Sequence, residues 1–164
     1  MKRREILKNL SVVPLAGVIG SDITGPEKNK AKEEWTPAKE AIPGVYPTTS
    51  PLSLCIRSGH LVFLSGIGGW YANRRAEPGD IKVQIESALT DMKNQLEKAC
   101  TSMANVLKVH MTLADPNKNL VPLNEVYGKF FPDPKPARSF SGAGIDQMGR
   151  EGVLVQIDCV AYID

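Results

Sequence analysis

The sequence predicts an α+β domain, a mixed sheet with two helices packed on one face. Three observations carry that prediction. The apolar runs and their spacing read β-β-α-β-α-β-β along the chain. Two stretches repeat apolar residues at the helical period, between runs that alternate or are rich in β-branched residues. The 164 residues are 42% hydrophobic and 23% charged, an ordinary globular composition with enough chain to bury a core.

The elements follow in order from Pro51. "LSLCIRSGHLVFLSG" holds two β-rich runs around Ser58-Gly59-His60, a hairpin signal. Asp80 is placed to cap a helix from Ile81 to about Ala99, with Ile81, Ile85, Ala88, Leu89, Met92, Leu96 and Ala99 on one face. "VLKVHMTLAD" alternates, with Leu107, Val109, Met111 and Leu113 on one side and Lys108, His110 and Thr112 on the other. His110 is therefore expected on the sheet surface rather than as a base. A second helix is expected from Asn119 to Phe131, on the apolar positions Leu120, Leu123, Val126, Tyr127 and Phe130. Two strands, about Ala137–Ala143 and Val153–Tyr162, close the chain. With both helices on one face, the other face is left to be covered, and oligomerisation is expected.

Ahead of this domain lie two segments. Residues 1–20, "MKRREILKNLSVVPLAGVIG", put a basic start before a short apolar stretch, Leu10 to Ile19, too short to span a bilayer. Arg3-Arg4 with Ile6-Leu7-Lys8 resembles a bacterial twin-arginine export signal, so a periplasmic or secreted protein is expected, touching a membrane only through the uncleaved signal. Residues 21–50 mix Pro, Lys and Glu without apolar periodicity and read as a flexible, charged tether or wrapping arm, with Trp35 and Tyr46 as local anchors. Residues 51–164 are the folded domain.

The formal charge of +2 conceals an asymmetry. Four of the twenty basic residues and one of the eighteen acidic ones fall in residues 1–20, leaving sixteen against seventeen, or −1, for the rest. Such a domain lacks the basic footprint that a phosphate backbone demands, which argues against a nucleic-acid partner. Cys55, Cys100 and Cys159 are scattered, and His60 and His110 are the only histidines. No zinc-like spacing, disulfide framework or cofactor is implied, and the thiols are expected to be small buried apolar groups.

The stretch "PKPARSFSGAG" isolates Arg138 among small residues and one phenylalanine. A guanidinium at a strand end presents five donors in a planar fork, suited to a carboxylate held by two bonds. In the last strand, period 2 puts Leu154, Gln156, Asp158 and Val160 on one face, so Gln156 and Asp158 are polar residues that ask for partners. On residue types alone, Arg138 is either an anion site or one half of a structural Arg138–Asp158 pair.

Six pieces in order, "LVFLSGIGG", the Asp80 helix, "NVLKVHMTLAD", "LNEVYGKFFP", "PARS" and "VLVQIDCVAY", resemble the RidA (YjgF/YER057c/UK114) family from about Pro51 to Tyr162. The resemblance implies a chorismate-mutase-like fold, a homotrimer with sites in the clefts between subunits, and hydrolysis of 2-imino or enamino acids to 2-keto acids and ammonia. It implies Arg138 as the binder of the substrate carboxylate, with Ser65 and Gly66 lining the same cleft. Asn124 and Tyr127 match helix positions of the family, Asn124 as a structural residue.

Three departures accompany it. Leu52 stands where the archetype has an aromatic wall, which Tyr46 would replace only if the arm folded back. Phe140 stands two residues beyond Arg138, where some members have cysteine. Gln156 stands where the archetype has a glutamate that positions and activates water. A glutamine orients water through its carbonyl but cannot accept a proton, whereas general-base help is worth about 10²–10⁴-fold. Asp158, on the same face roughly 7 Å along the strand, would substitute only with a shifted substrate. Three readings follow: a RidA-type deaminase using Arg138 and Gln156, a non-catalytic binder of a small carboxylate or carbonyl metabolite, and an endoribonuclease, which the −1 charge disfavours.

Overall fold

The computed structural model describes residues 38–42, 49–69 and 80–164, all within the compact unit of residues 35–164. Strands β1 (Glu40–Ala41), β2 (Cys55–Ser58) and β3 (Leu61–Gly68) lead to helix α1 (Ile81–Lys98), and β4 (Val106–Ala114) to α2 (Pro116–Tyr127). Strands β5 (Ala137–Ala143) and β6 (Val155–Tyr162) complete one six-stranded sheet in the order β1-β2-β3-β6-β4-β5. All neighbours are antiparallel except β4 and β5, which run parallel because α2 carries the chain back between them. The expected α+β architecture, with two helices on one face of a mixed sheet, is the observed one. Glu40–Ala41, from the segment expected as an arm, pairs with Arg57 and Ile56 and adds an edge strand.

Helix α1 forms where its periodicity predicts. The Asp80 carboxylate accepts the Val83 N–H at 3.1 Å, an N-cap. Every apolar position expected on its inner face is buried. Gln84 shares that face because both ends of its amide are used: Nε2 donates to Gly152 O at 2.7 Å, and Oε1 accepts Leu154 N–H at 2.8 Å. The helix is thereby tied to the entry of β6. Beneath it, Val109, Met111, Leu113, Val155, Ile157 and Ala161 are fully buried.

Three local expectations shift. Leu107 is 47% exposed and Val106 is buried instead, because the β4–β6 register slips between Val106 and Lys108 and turns the strand's first residues over. Helix α2 starts three residues early, since Pro116 suits the first helical turn, and ends at Tyr127. Gly128, Lys129 and Phe130 follow as tight turns, with Lys135 Nζ donating to the carbonyls of Gly128 and Phe131. Cys55 and Cys159 are buried as expected, but Cys100, in a left-handed turn after α1 (φ 60°), is exposed.

The opposite face of the sheet has no layer over it among the described residues. Register puts Leu61 beside Tyr162 and Phe63 beside Val160 there, and Leu61, Phe63 and Tyr162 are between a third and a half exposed.

Candidate functional site

The predicted site residues form two groups. The first surrounds Arg138. It aligns with Val109 on the parallel neighbour β4, so its side chain lies on the helix-covered face, at the outer edge beside α2. Asn124 and Tyr127, one turn apart on α2, both reach it. Arg138 Nη1 donates to Asn124 Oδ1 at 2.8 Å, and the guanidinium carbon sits 4.6 Å from the centre of the Tyr127 ring. Tyr127 is only 7% exposed and packs on Phe131 with ring centres 4.8 Å apart. Phe140, two residues along β5, shares Arg138's face and is 43% exposed.

The Arg138–Asp158 pair does not form. Strand β4 separates β5 from β6, and Asp158 aligns with His110 on the open face. There Asp158 Oδ2 lies 3.3 Å from His110 Nδ1, and His110 Nε2 lies 3.3 Å from Ser141 Oγ, a polar rung across three strands. His110 is thus on the sheet surface, as its place in the alternation predicts. Arg138 is left with no acidic partner among the described residues. Its contacts are a neutral amide and a neutral ring, since burial pushes the Tyr127 phenol up to about 12 despite the nearby guanidinium.

The second group gathers where β3 is irregular. The β3–β6 register shifts between Leu64 and Ile67, which lifts Ser65 and Gly66 out of the regular ladder. Ser65 Oγ donates to Ser53 O at 2.6 Å and Ser65 N–H to Leu54 O at 2.8 Å, so the segment carrying exposed Leu52 is tied to the bulge. Gln156 lies over Gly66: a Cβ at residue 66 would stand 2.5 Å from Gln156 Nε2, so a larger residue there displaces the Gln156 amide. Gln156 aligns with Thr112 on the open face and is exposed. Ser65, Gly66 and Gln156 therefore come together, with Leu52 on the neighbouring segment, and Arg138 and Phe140 share a face, but the two groups occupy opposite faces of one sheet. Tyr46 lies outside the described residues.

Sequence reasoning missed the roles of Asn124 and Tyr127 as holders of Arg138. The signal was present, since residues 124 and 127 share a helical face, but nothing in the sequence said that this face would meet β5. Among the described residues no group of three His, Cys, Asp or Glu side chains is close enough to hold a metal ion.

Residues 45–163 match the family model described as Endoribonuclease L-PSP. Protein mmf2, mitochondrial, of fission yeast is 31% identical over 111 residues, 68% of this chain and 86% of that protein. Reactive Intermediate Deaminase A, chloroplastic, of Arabidopsis thaliana is 30% identical over 114 residues, 69% of this chain and 59% of that protein. The crystal structure of yeast Mmf1 superposes with a TM-score of 0.67 at 26% identity, over 77% of this chain and all of that one. These relatives correct the expectation of a bacterial periplasmic or secreted protein, because those with a stated compartment here belong to mitochondria and chloroplasts. Arginine-bearing basic leaders occur in organellar presequences as well as in export signals, so residue type over twenty positions did not separate them.

Proposed function

The chain belongs to the Endoribonuclease L-PSP family, the RidA/YjgF family, and on that premise we propose that it hydrolyses 2-imino and enamino acids to 2-keto acids and ammonia. One observation carries the proposal. Arg138 is held by the Asn124 amide and the Tyr127 ring, with no carboxylate against it among the described residues, so its charge and remaining donors are available to an anion. The substrate carboxylate occupies that fork. Water adds to the imine carbon, the nitrogen takes up protons, and the resulting carbinolamine collapses to the keto acid and ammonia. Gln156 orients the water through Oε1 but takes no proton, so the intrinsic electrophilicity of the imine carries more of the reaction than in a relative with glutamate.

The active form in this proposal is a homotrimer. The exposed apolar side chains of Leu61, Phe63 and Tyr162 on the uncovered face support burial against another copy. The opposed positions of Arg138 and Gln156 support a site to which two copies each contribute one half.

A second reading, a binder of small carboxylates without turnover, is favoured specifically by Gln156. The endoribonuclease activity in the family's description has less support, since residues 21–164 carry a net charge of −1. The deciding experiment follows keto-acid release from an imino acid generated in situ by an amino-acid oxidase, with wild type beside Arg138→Ala. Acceleration that disappears in the variant is expected. Wild type that binds keto acid yet accelerates nothing would establish the binder instead.

A further inference from the structure

We propose that Tyr127 is a positioning residue, a platform whose ring fixes the plane of the Arg138 guanidinium so that its free edge meets a carboxylate. The proposal rests on the carboxylate-site reading of Arg138 and adds to it the group that sets the geometry.

An arginine on an edge strand has several freely rotating bonds, and a fork that wanders loses the advantage of two parallel hydrogen bonds. Here two contacts of different kinds remove that freedom. Asn124 Oδ1 accepts one Nη1 hydrogen at 2.8 Å, which fixes one corner of the fork. The Tyr127 ring, 4.6 Å from the guanidinium carbon, gives the flat cation a face to lie against. Four of the five N–H donors remain unengaged among the described residues. The platform is itself anchored, because Tyr127 is almost wholly buried in α2 and braced by Phe131, so Phe131, Tyr127 and Arg138 form a supported series from core to edge.

The phenol hydroxyl takes no part in this support. It is buried and makes no hydrogen bond among the described residues. The ring, rather than the polar end, is therefore the working element, and the two are separable by substitution.

The test measures binding of 2-oxobutanoate, a representative keto-acid product, by calorimetry on the full-length protein, alongside deamination kinetics. Tyr127→Leu removes the ring and is expected to weaken binding about tenfold, raising KM by a similar factor with kcat within about twofold. Tyr127→Phe restores the ring without the hydroxyl and is expected within about threefold of wild type. Wild-type affinity in Tyr127→Leu overturns the proposal, and so does a loss in Tyr127→Phe equal to that in Tyr127→Leu, which would make the hydroxyl the working group. Should Tyr127→Leu fail to fold, Arg138→Lys decides, because it keeps the charge and loses the plane. A loss of about tenfold or more is expected, and undiminished affinity overturns the platform. Arg138→Ala that binds the keto acid as wild type does would instead defeat the carboxylate-site reading beneath it.

Discussion

Arg138 and Gln156 lie on opposite faces of the same sheet: Arg138 aligns with buried Val109 on the helix side, and Gln156 with Thr112 on the open side. A single copy therefore holds the two groups of candidate site residues facing away from each other. In the proposed reaction, the substrate carboxylate and the attacking water meet only where one copy's α2–β5 edge approaches another copy's Ser65-Gly66 bulge.

That arrangement predicts complementation between inactive variants. Arg138→Ala disables one half, and Gly66→Leu, which drives a side chain into Gln156, disables the other. Unfolded together and refolded as random mixed oligomers, they should recover about a quarter of the wild-type sites. Mixed oligomers with no more keto-acid release than either parent would show that each site is built within one chain.

Restoring the missing proton acceptor should increase the rate. Gln156→Glu is expected to raise kcat by about 10²–10⁴-fold if water activation limits the wild type. Unchanged kcat, with binding of the keto acid intact, would mean that the imine needs no general base here.

Stability should fall at alkaline pH for an identifiable reason. Burial holds the Tyr127 phenol up to about 12 from 10.0, and the Cys159 thiol up to about 12 from 9.0. Above pH 9 the unfolded chain binds fewer of these protons than the folded one, so their contribution is constant below that pH and is lost as pH rises from about 9 through 12. The Tyr127 part is on the order of 2 kcal/mol. Urea midpoints at pH 8, 9.5 and 11 for wild type and Tyr127→Phe check this, and equal slopes between pH 9.5 and 11 would exclude Tyr127 as a source.

The three thiols should separate cleanly under native conditions. Exposed Cys100 is expected to take up a maleimide rapidly, while Cys55 and Cys159, buried with thiols raised by that burial, should react only after denaturation. Mass spectrometry showing two or three labels on the folded protein would contradict the burial.

Much of the fold was legible in the chain because burial leaves a period. Ile81 to Ala99 repeats at 3.6 residues and Val155 to Tyr162 at two, so each element announces its type and its inner face. The exceptions have local causes. The β4 bulge moves Leu107 outward, a register event between strands that no single strand encodes. Helix α2 stops at Tyr127 although its apolar pattern continues to Phe131, because Phe130 and Phe131 pack from a turn as readily as from a helix.

The candidate site divides in the same way. Its residue types were readable from the chain alone: one arginine set among small residues, a glutamine in the last strand, and a Ser-Gly step preceding Ile67. Which residues meet was set by the assembled fold. It inserted β4 between β5 and β6, which gave Asp158 to His110 and left Arg138 to Asn124 and Tyr127, and it set Arg138 and Gln156 on opposite faces. Strand order depends on the crossover through α2 and on packing of the helices against the whole sheet, which are sums over distant residues. A side chain's chemistry belongs to its own position, but its partner is chosen by the fold.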